Sequence, residues 1–296
     1  MKSSLTPKEL AQAIGVSESS LKRWADDGLL LAARTPGGHR RIAMAEAVRF
    51  IRASRATIVR PDLLGFGDLP GPLTGVQTSE DPGQILFEAL YQDDHLKART
   101  LLLSAFMSGM PVSTLCDGPM RFAFTRIGEL WHHEANGIMI EHRATDTCCQ
   151  AMHLIRSLLP TPCPLTTASA LGGAPSGDPY LMPSLMVATV LAEVGYRDLN
   201  LGPDTPLATL QRAIAHYRPQ LVWLAVSSPM APERLIDKIL QLTTQLAESD
   251  GTLIIGGRSL GDVAIPAIAN LQVARSMTEL ACAAQNLRRP AKTVPG

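Results

Sequence analysis

The feature that most constrains the fold is a regular alternation of short apolar segments with longer amphipathic segments, which runs from residue 165 to residue 288. This alternation predicts a parallel sheet whose strands are joined by right-handed helical crossovers, a Rossmann-like (flavodoxin-like) domain. The predicted strands are 165–171, 197–201, 221–227, 252–255 and 271–273, and the predicted helices are 181–194, 206–217, 232–247, 260–269 and 277–288. No G-x-G-x-x-G follows the first predicted strand, so a nicotinamide dinucleotide site is not supported.

The first 60 residues have a different pattern, typical of a winged helix-turn-helix domain. Thr6 and Pro7 suit the start of a helix, Gly15 ends it, and Ser17 suits the N-cap of the next helix. A hairpin with its turn at 36–38 follows, and a further helix is predicted from about residue 44 to about residue 55.

The charge of the chain is unevenly spread, although its formal net charge is zero. Residues 1–60 contain eleven Lys or Arg and five Asp or Glu, an excess of six positive charges that the other residues balance. Such a split favours a polyanionic partner, and double-stranded DNA fits the helix-turn-helix pattern. The predicted DNA contacts are polar and basic side chains on the second helix and the hairpin: Ser17, Ser19, Lys22, Arg23, Arg34, His39, Arg40 and Arg41.

The middle of the chain divides into a linker and a helical segment. Nine of the 24 residues from Arg60 to Gly83 are Pro or Gly, which predicts a linker. Helical periodicity near 84–91, 94–109, 112–133 and 138–158 predicts a four-helix bundle. The predicted domains are therefore a DNA-binding domain at 1–60, a linker at 61–83, a bundle at 84–160 and a Rossmann-like domain at 161–296.

Several classes of protein are excluded or disfavoured by composition. The apolar runs are far shorter than the roughly 20 residues that span a bilayer, so no membrane partner is expected. The N-terminal segment has no apolar signal core, and five cysteines without a CxxC pair support neither a disulfide framework nor a zinc cluster. These features predict a cytoplasmic protein with reduced thiols.

The N-terminal segment closely resembles the DNA-binding domains of the MerR family. The resemblance is carried by the sequence ELAQAIGVSESSLKRWADDGLL at residues 9–30, followed by RTPGGHRRI at residues 34–42. MerR proteins bind operators as dimers, so the resemblance implies a homodimer, or a tetramer built from dimers, on double-stranded operator DNA.

A second resemblance covers nearly the whole chain. On the residues alone, Trp131 is a core side chain and Glu141 and His142 are exposed polar residues. However, Trp131 followed after nine residues by Glu141-His142 resembles the W-x9-EH motif of the CarH/LitR photoreceptor repressors. In that family a helical bundle covers the upper face of adenosylcobalamin. The resemblance implies that Trp131, Glu141 and His142 contact the cofactor, with the imidazole of His132 beside them.

The cofactor-binding motif of that family is altered in this chain. Its D-x-H-x-x-G motif places a cobalt-ligating histidine after the first strand, and here Asp178 is present while Tyr180 replaces the histidine and Pro183 the glycine. A phenol is a poorer cobalt ligand than an imidazole, which puts the usual cobalamin mode in doubt. By the same resemblance, the positions that meet the cofactor's tail are Ser227, Gly256 and Gly257, in loops that otherwise need no ligand.

Four possibilities for the C-terminal half remain open. Cobalamin binds without a protein ligand from below, or haem binds with Tyr180 and a bundle histidine, His132 or His142, as metal ligands, since tyrosinate is a known haem-iron ligand. Alternatively a bilin binds, which needs no metal ligand, or no cofactor binds and a partner protein exerts control.

These observations predict a transcription regulator rather than an enzyme, because no catalytic domain accompanies the DNA-binding domain. Its C-terminal half is expected to sense light or a tetrapyrrole-type ligand and to control oligomerisation and operator binding, as a repressor does in the resembled family. The alternatives are a cofactor-free regulator controlled by a partner protein, or an accessory protein of a cobalamin-fold enzyme.

Overall fold

A computed structural model describes residues 2–67, 69, 71–73, 81–130, 134–160, 167–261 and 263–288. The chain divides into two compact units, one of residues 1–160 and one of residues 161–296. Within the described ranges, no helix combines the length and the apolar character that crossing a bilayer requires.

The helix-turn-helix is formed by two helices, α1 (Pro7–Ala13) and α2 (Glu18–Asp26). Thr6 begins α1 in a capping box, in which its Oγ1 accepts from the Glu9 amide at 3.1 Å and its own amide donates to the Glu9 carboxylate at 2.8 Å. Gly15 adopts a left-handed φ of +69° in the turn, and the Ser17 Oγ caps α2 by accepting from the Ser20 amide at 3.1 Å. The helix ends predicted from these residue types are confirmed.

The capping box makes a testable contribution to stability. The Lys2 ammonium, 2.7 Å away, and the Thr6 amide lower the pKa of Glu9 from 4.5 to about 2. Because this pKa is depressed in the folded protein, the stabilisation is present above pH 4.5 and is lost as the pH falls from about 4.5 to about 2. We expect Glu9→Gln to cost about 1 kcal/mol at neutral pH and progressively less on acidification. Thermal unfolding of both proteins across this range measures the difference, and a cost that did not change with pH would contradict the account.

A small antiparallel sheet completes the N-terminal domain. Its strands β1 (Ser4–Leu5), β2 (Ala33–Arg34) and β3 (Arg40–Ala43) lie in the order β1-β3-β2, and α3 (Met44–Ser54) follows directly. The predicted hairpin and third helix are confirmed, whereas β1 is too short to give a sequence signal. The core below the sheet consists of fully or almost fully buried side chains: Leu5, Leu10, Leu21, Leu30, Ile42, Ala47 and Ile51.

The structure differs from the predicted linker over residues 61–73. A 3-10 turn at Pro61–Leu64 packs against α1, and Leu73 pairs with Ile58 in an isolated antiparallel bridge. Proline and glycine prevent regular elements here, but the apolar side chains between them are buried, Phe66 to 1% exposure. The predicted linker is thus partly an ordered extension of the N-terminal domain, while its residues 74–80 lie outside the described part of the chain.

Helices predicted for the bundle are present in the second half of the N-terminal unit. They are α4 (Pro82–Tyr91), α5 (His95–Met107), α6 (Val112–Leu115), α7 (Arg121–Leu130) and α8 (Gly137–Leu158). A π-helical turn at Cys116–Met120 joins α6 to α7, because Pro119 has no amide hydrogen to continue an α-helix. The core between these helices is formed by buried apolar side chains: Leu86, Leu102, Phe106, Ile127, Cys148, Met152 and Ile155.

The C-terminal unit is built on a parallel sheet with helical crossovers, as the alternating pattern predicts. The strands are β4 (Ser169–Gly173), β5 (Arg197–Asn200), β6 (Leu221–Ala225), β7 (Thr252–Gly256) and β8 (Leu271–Ala274). Within the described residues they lie in the order β5-β4-β6-β7-β8. The helices are α9 (Leu181–Val194), α10 (Leu207–Tyr217), α11 (Pro232–Ala247) and α12 (Met277–Leu287).

The sheet has a switch point between β4 and β6. The chain passes from β4 to β5 on one side and then returns to place β6 on the other side of β4. Ligands of open parallel sheets bind beyond the carboxyl ends of the strands at such a point. One face of the sheet buries a continuous apolar core that includes Leu171, Val222, Leu224, Leu235, Ile239, Leu253 and Ile255.

Two sequence predictions for this unit need correction. The helix predicted at 260–269 is wrong, because the chain forms only a 3-10 turn at Arg258–Leu260 before Gly261 takes a positive φ of +40°. Pro266 then lies in the irregular segment that leads to β8. The first strand begins at Ser169 rather than at residue 165, and residues 165 and 166 lie outside the described ranges.

Candidate functional site

The start of α2 presents the polar and basic surface that the sequence predicts. Ser17, Ser19, Lys22 and Arg23 are all exposed. The Ser17 hydroxyl is engaged in capping α2, and the Lys22 ammonium lies 3.0 Å from the Glu18 carboxylate on the preceding turn. Arg23 has no ion-pair partner among the described residues.

The hairpin between β2 and β3 forms the predicted wing. Its tip is held by Thr35, whose amide donates to the His39 carbonyl at 2.9 Å and whose hydroxyl accepts from the His39 amide at 3.2 Å. Arg34 and Arg41 are exposed on the two strands, and His39 is exposed at the turn. The wing therefore presents two arginines and a histidine to solvent.

Arg40 is placed differently from the other predicted wing cations. Its Nη2 lies 2.6 Å from the Asp26 carboxylate at the end of α2, and its Nη1 is 3.5 Å from the Lys22 carbonyl. Only a quarter of its side chain is exposed. This geometry ties the wing to α2, and it suits a positioning role for Arg40 better than a direct contact with phosphate.

The N-terminus of α1, the exposed side of α2 and the wing together line one groove. Its charged residues are Lys8, Glu18, Lys22, Arg40 and Arg41, with His39 beside them. The cations outnumber the single carboxylate, so the groove attracts a polyanion such as a nucleic-acid backbone.

The bundle residues of the W-x9-EH motif are only partly described. Trp131 and His132 lie outside the described residues. Glu141 and His142 lie in the first turns of α8, with the Glu141 carboxylate 3.9 Å from the His142 Nε2, and 75% of the His142 side chain is exposed. The same turns expose Ile138 and Met139, to 56% and 58% respectively. Sequence reasoning missed this apolar surface, because exposure cannot be read from two apolar residues at the start of a helix.

The metal ligands suggested by the sequence are distributed over both units of the chain. His142 belongs to the N-terminal unit and Tyr180 to the C-terminal unit, and His132 is not described. Within the described ranges, no group of three or more His, Cys, Asp or Glu side chains could hold a metal ion.

Asp178 is the centre of the candidate site in the C-terminal unit. It is only 1% exposed, and one of its carboxylate oxygens accepts from the amides of Ser227 and Ser228 at 2.5 and 2.9 Å. The other oxygen accepts from the Tyr180 amide at 3.3 Å. The carboxylate therefore joins the loop that follows β4 to the loop that follows β6, on both sides of the switch point.

Tyr180 and Arg258 lie together beside this carboxylate. Tyr180 precedes α9 and is 37% exposed, and the Arg258 guanidinium carbon lies 4.7 Å from the centre of the Tyr180 ring. The Arg258 Nε donates to the Ser227 carbonyl at 2.9 Å, and the Ser259 hydroxyl donates to the same oxygen at 2.6 Å. We call Asp178, Tyr180, Ser227 and Arg258 the loop junction, since they link the segments that follow β4, β6 and β7.

Glycine is required at the two positions at the end of β7 by close packing that involves no ligand. A Cβ on Gly256 would lie 2.7 Å from the Ala274 carbonyl oxygen. Gly257 has a φ of +125°, and a Cβ there would overlap the backbone of Val226. Close packing against the neighbouring strand and loop thus explains glycine at both positions.

The loop junction does not fit a cobalamin that is held by a protein ligand from this domain. Position 180 carries a phenol instead of an imidazole, and a guanidinium lies over its ring. Both oxygens of Asp178 accept from backbone amides, so this carboxylate holds the loops of the junction together. The contact of Tyr180 with Arg258, as well as its residue type, therefore disfavours Tyr180 as a cobalt ligand.

Comparison with known proteins relates most of the chain to a repressor. Residues 4–60 match the family of helix-turn-helix domains. Over 238 residues the chain is 26% identical to the HTH-type transcriptional repressor CarA of Myxococcus xanthus. The matched region covers 76% of this chain and 77% of that protein.

A solved structure shares the fold of about two thirds of the chain. The monomethylamine corrinoid protein of Methanosarcina barkeri matches with a TM-score of 0.51 and 16% identity, over 68% of this chain and 96% of that chain. At this identity the similarity shows a shared fold. The chain therefore carries a helix-turn-helix domain at residues 4–60, is similar over most of its length to the HTH-type transcriptional repressor CarA, and shares the fold of a corrinoid protein.

Proposed function

We propose that this regulator binds double-stranded operator DNA through α2 and the wing, and that its C-terminal half senses light or a tetrapyrrole-type ligand. The observation that carries the proposal is the exposed cationic groove of the N-terminal unit, in a chain related to a repressor over three quarters of its length. In this proposal the protein has no catalytic activity of its own.

The DNA-binding step follows from the placement of the cations. The start of α2 suits the major groove, with Ser19, Lys22 and Arg23 towards the bases, while Arg34, His39 and Arg41 suit the flanking phosphates. One such domain offers few contacts, so two copies on two half-sites would bind far more tightly than one. This favours a homodimer or a tetramer as the operator-bound form.

The sensing step requires a ligand whose affinity differs between assembly states, because only differential affinity shifts an equilibrium. The relative with the shared fold is a corrinoid protein, and the exposed aromatic ring of Tyr180 lies where sheets of this kind bind ligands. Three ligands are consistent with these features: cobalamin without a protein ligand below, haem held through Tyr180, and a bilin.

Absorption spectroscopy combined with size-exclusion chromatography tests the sensing step. The full chain is mixed separately with hydroxocobalamin, haemin and biliverdin, in darkness and after illumination. We expect one of these compounds to be retained stoichiometrically, with a shifted absorption band and a changed oligomeric state. If none of them is retained, the tetrapyrrole part of the proposal is wrong, whereas DNA binding is tested independently below.

A cofactor-free regulator controlled by a partner protein is the second candidate. It is favoured by the exposed Ile138 and Met139 at the start of α8, since adjacent exposed apolar side chains suit a protein interface. Absence of tetrapyrrole retention together with intact DNA binding would support this candidate.

A further inference from the structure

Tyr180 and Arg258 place an aromatic ring and a cation side by side at the carboxyl ends of the strands. Both residues are exposed, and Leu181 next to Tyr180 is exposed to 43%. An exposed apolar surface beside a guanidinium suits a planar ligand that carries negative charge.

The pair is held in place by the chain rather than free to move as two surface side chains. The Tyr180 amide is bound to the buried Asp178 carboxylate, and the Arg258 Nε is bound to the Ser227 carbonyl. The Ser227 amide in turn donates to Asp178, so both members of the pair are anchored to one buried group.

Arg258 forms no ion pair with a carboxylate in the part of the chain that the structure describes. Its guanidinium contacts the Ser227 carbonyl and the Tyr180 ring. Asp178 is buried and both of its oxygens are occupied by amides. With the Nε engaged, the two terminal nitrogens of the guanidinium remain to donate to a ligand, and a carboxylate is the group that they bind best.

We propose that the loop junction selects a planar tetrapyrrole with free carboxylates, such as a bilin or a porphyrin, over a corrinoid whose side chains are amides. The inference rests on the proposed function and defines its ligand class. The ligand ring packs against Leu181 and against the side of the Tyr180 ring that Arg258 does not cover, and a propionate pairs with Arg258. An ester or an amide at that position still accepts from the guanidinium, but it carries no opposite charge and cannot form the bidentate pair that a carboxylate forms with arginine.

Biliverdin and its dimethyl ester provide a direct test, because they share the ring system and differ in charge. Both are titrated against the full-length protein by absorption, with hydroxocobalamin as the amidated comparison. We expect biliverdin to bind at least about 10-fold more tightly than the ester, as expected for one charge-assisted hydrogen bond. This comparison uses the unmodified protein and does not depend on the folding of any variant.

Variants of Arg258 then test whether this residue causes the preference for biliverdin over its dimethyl ester. Arg258→Gln is expected to remove the preference by weakening biliverdin about 10-fold, while the affinity for the ester stays nearly the same. Arg258→Lys should retain part of the preference, because it keeps the charge and loses the planar fork. Arg218→Gln is the matched control, since Arg218 lies before the amino-terminal end of β6, whereas the loop junction lies at the carboxyl ends of the strands.

The outcomes separate this inference from the proposed function. Equal affinity for biliverdin and its ester, or an unchanged preference in Arg258→Gln, overturns the inference and leaves a tetrapyrrole sensor in place. Tighter binding of hydroxocobalamin than of biliverdin has the same consequence. If no tetrapyrrole binds at all, both the inference and the sensing part of the proposed function fail.

Discussion

Replacing Asp178 with alanine is expected to lower the free energy of unfolding of the C-terminal unit by about 3–5 kcal/mol. The carboxylate is 1% exposed and accepts from three backbone amides, those of Tyr180, Ser227 and Ser228. Alanine leaves these donors without an acceptor, and water cannot reach the buried Ser227 amide without opening the loops. Because domains are stable by only about 5–15 kcal/mol, a loss of this size is a large fraction of the total.

Urea unfolding followed by tryptophan fluorescence measures this effect, because Trp223 is buried in β6 of the same unit. Asp178→Asn keeps one acceptor oxygen and should lose less stability than alanine. Asp204→Asn is the matched control, since Asp204 is exposed and its carboxylate accepts from a single amide among the described residues, that of Gly177 at 2.8 Å. An unfolding midpoint for Asp178→Ala as high as that of Asp204→Asn would show that the loop junction does not support the fold.

The double variant Arg34→Ala/Arg41→Ala is expected to weaken DNA binding on the order of 100-fold at low salt. Both arginines are exposed on the wing, where the backbone of duplex DNA would lie. Removing two phosphate contacts also lowers the slope of log affinity against log salt concentration by about two for each bound copy. The measurement is a salt titration of fluorescently labelled duplex DNA with wild type and variant.

Arg40→Ala is compared with this double variant to separate a positioning role in the wing from a direct phosphate contact. Its ion pair with Asp26 positions the wing, so its loss should reduce affinity while changing the salt slope by less than either exposed arginine does. The pair is partly exposed, and its loss should cost at most about 1 kcal/mol of stability. A salt slope that is unchanged in Arg34→Ala/Arg41→Ala would refute the assignment of the wing to DNA contacts.

Local signals in the sequence predict much of the fold. Thr6, Gly15 and Ser17 identify the ends of α1 and α2, because caps and left-handed turns depend on residue type within a few positions. The strands of the parallel sheet follow from apolar runs of the right length. The helix predicted at 260–269 is wrong because apolar periodicity alone does not take account of Gly261 and Pro266, which break a short helix.

The candidate site could be predicted only in part, because its contacts join segments that are far apart in the sequence. Asp178 and Tyr180 were identified from the altered motif, but nothing local indicates that the Asp178 carboxylate binds amides 49 and 50 residues away. The contact of Arg258 with Tyr180 was not predicted, since it depends on the path of the chain after β7. The order within residues 61–73 was missed for the same reason, because the burial of Leu64 and Phe66 depends on their contact with other elements.

Operator affinity with and without bound ligand tests most directly whether ligand binding is coupled to DNA binding. An operator is first selected from random-sequence duplex DNA with the full-length protein, and its affinity and the oligomeric state are then measured with and without the retained tetrapyrrole. We expect the ligand to change operator affinity by about 5–150-fold, the usual range of allosteric coupling, together with a change in assembly. A saturating ligand that left both operator affinity and oligomeric state unchanged would contradict the account.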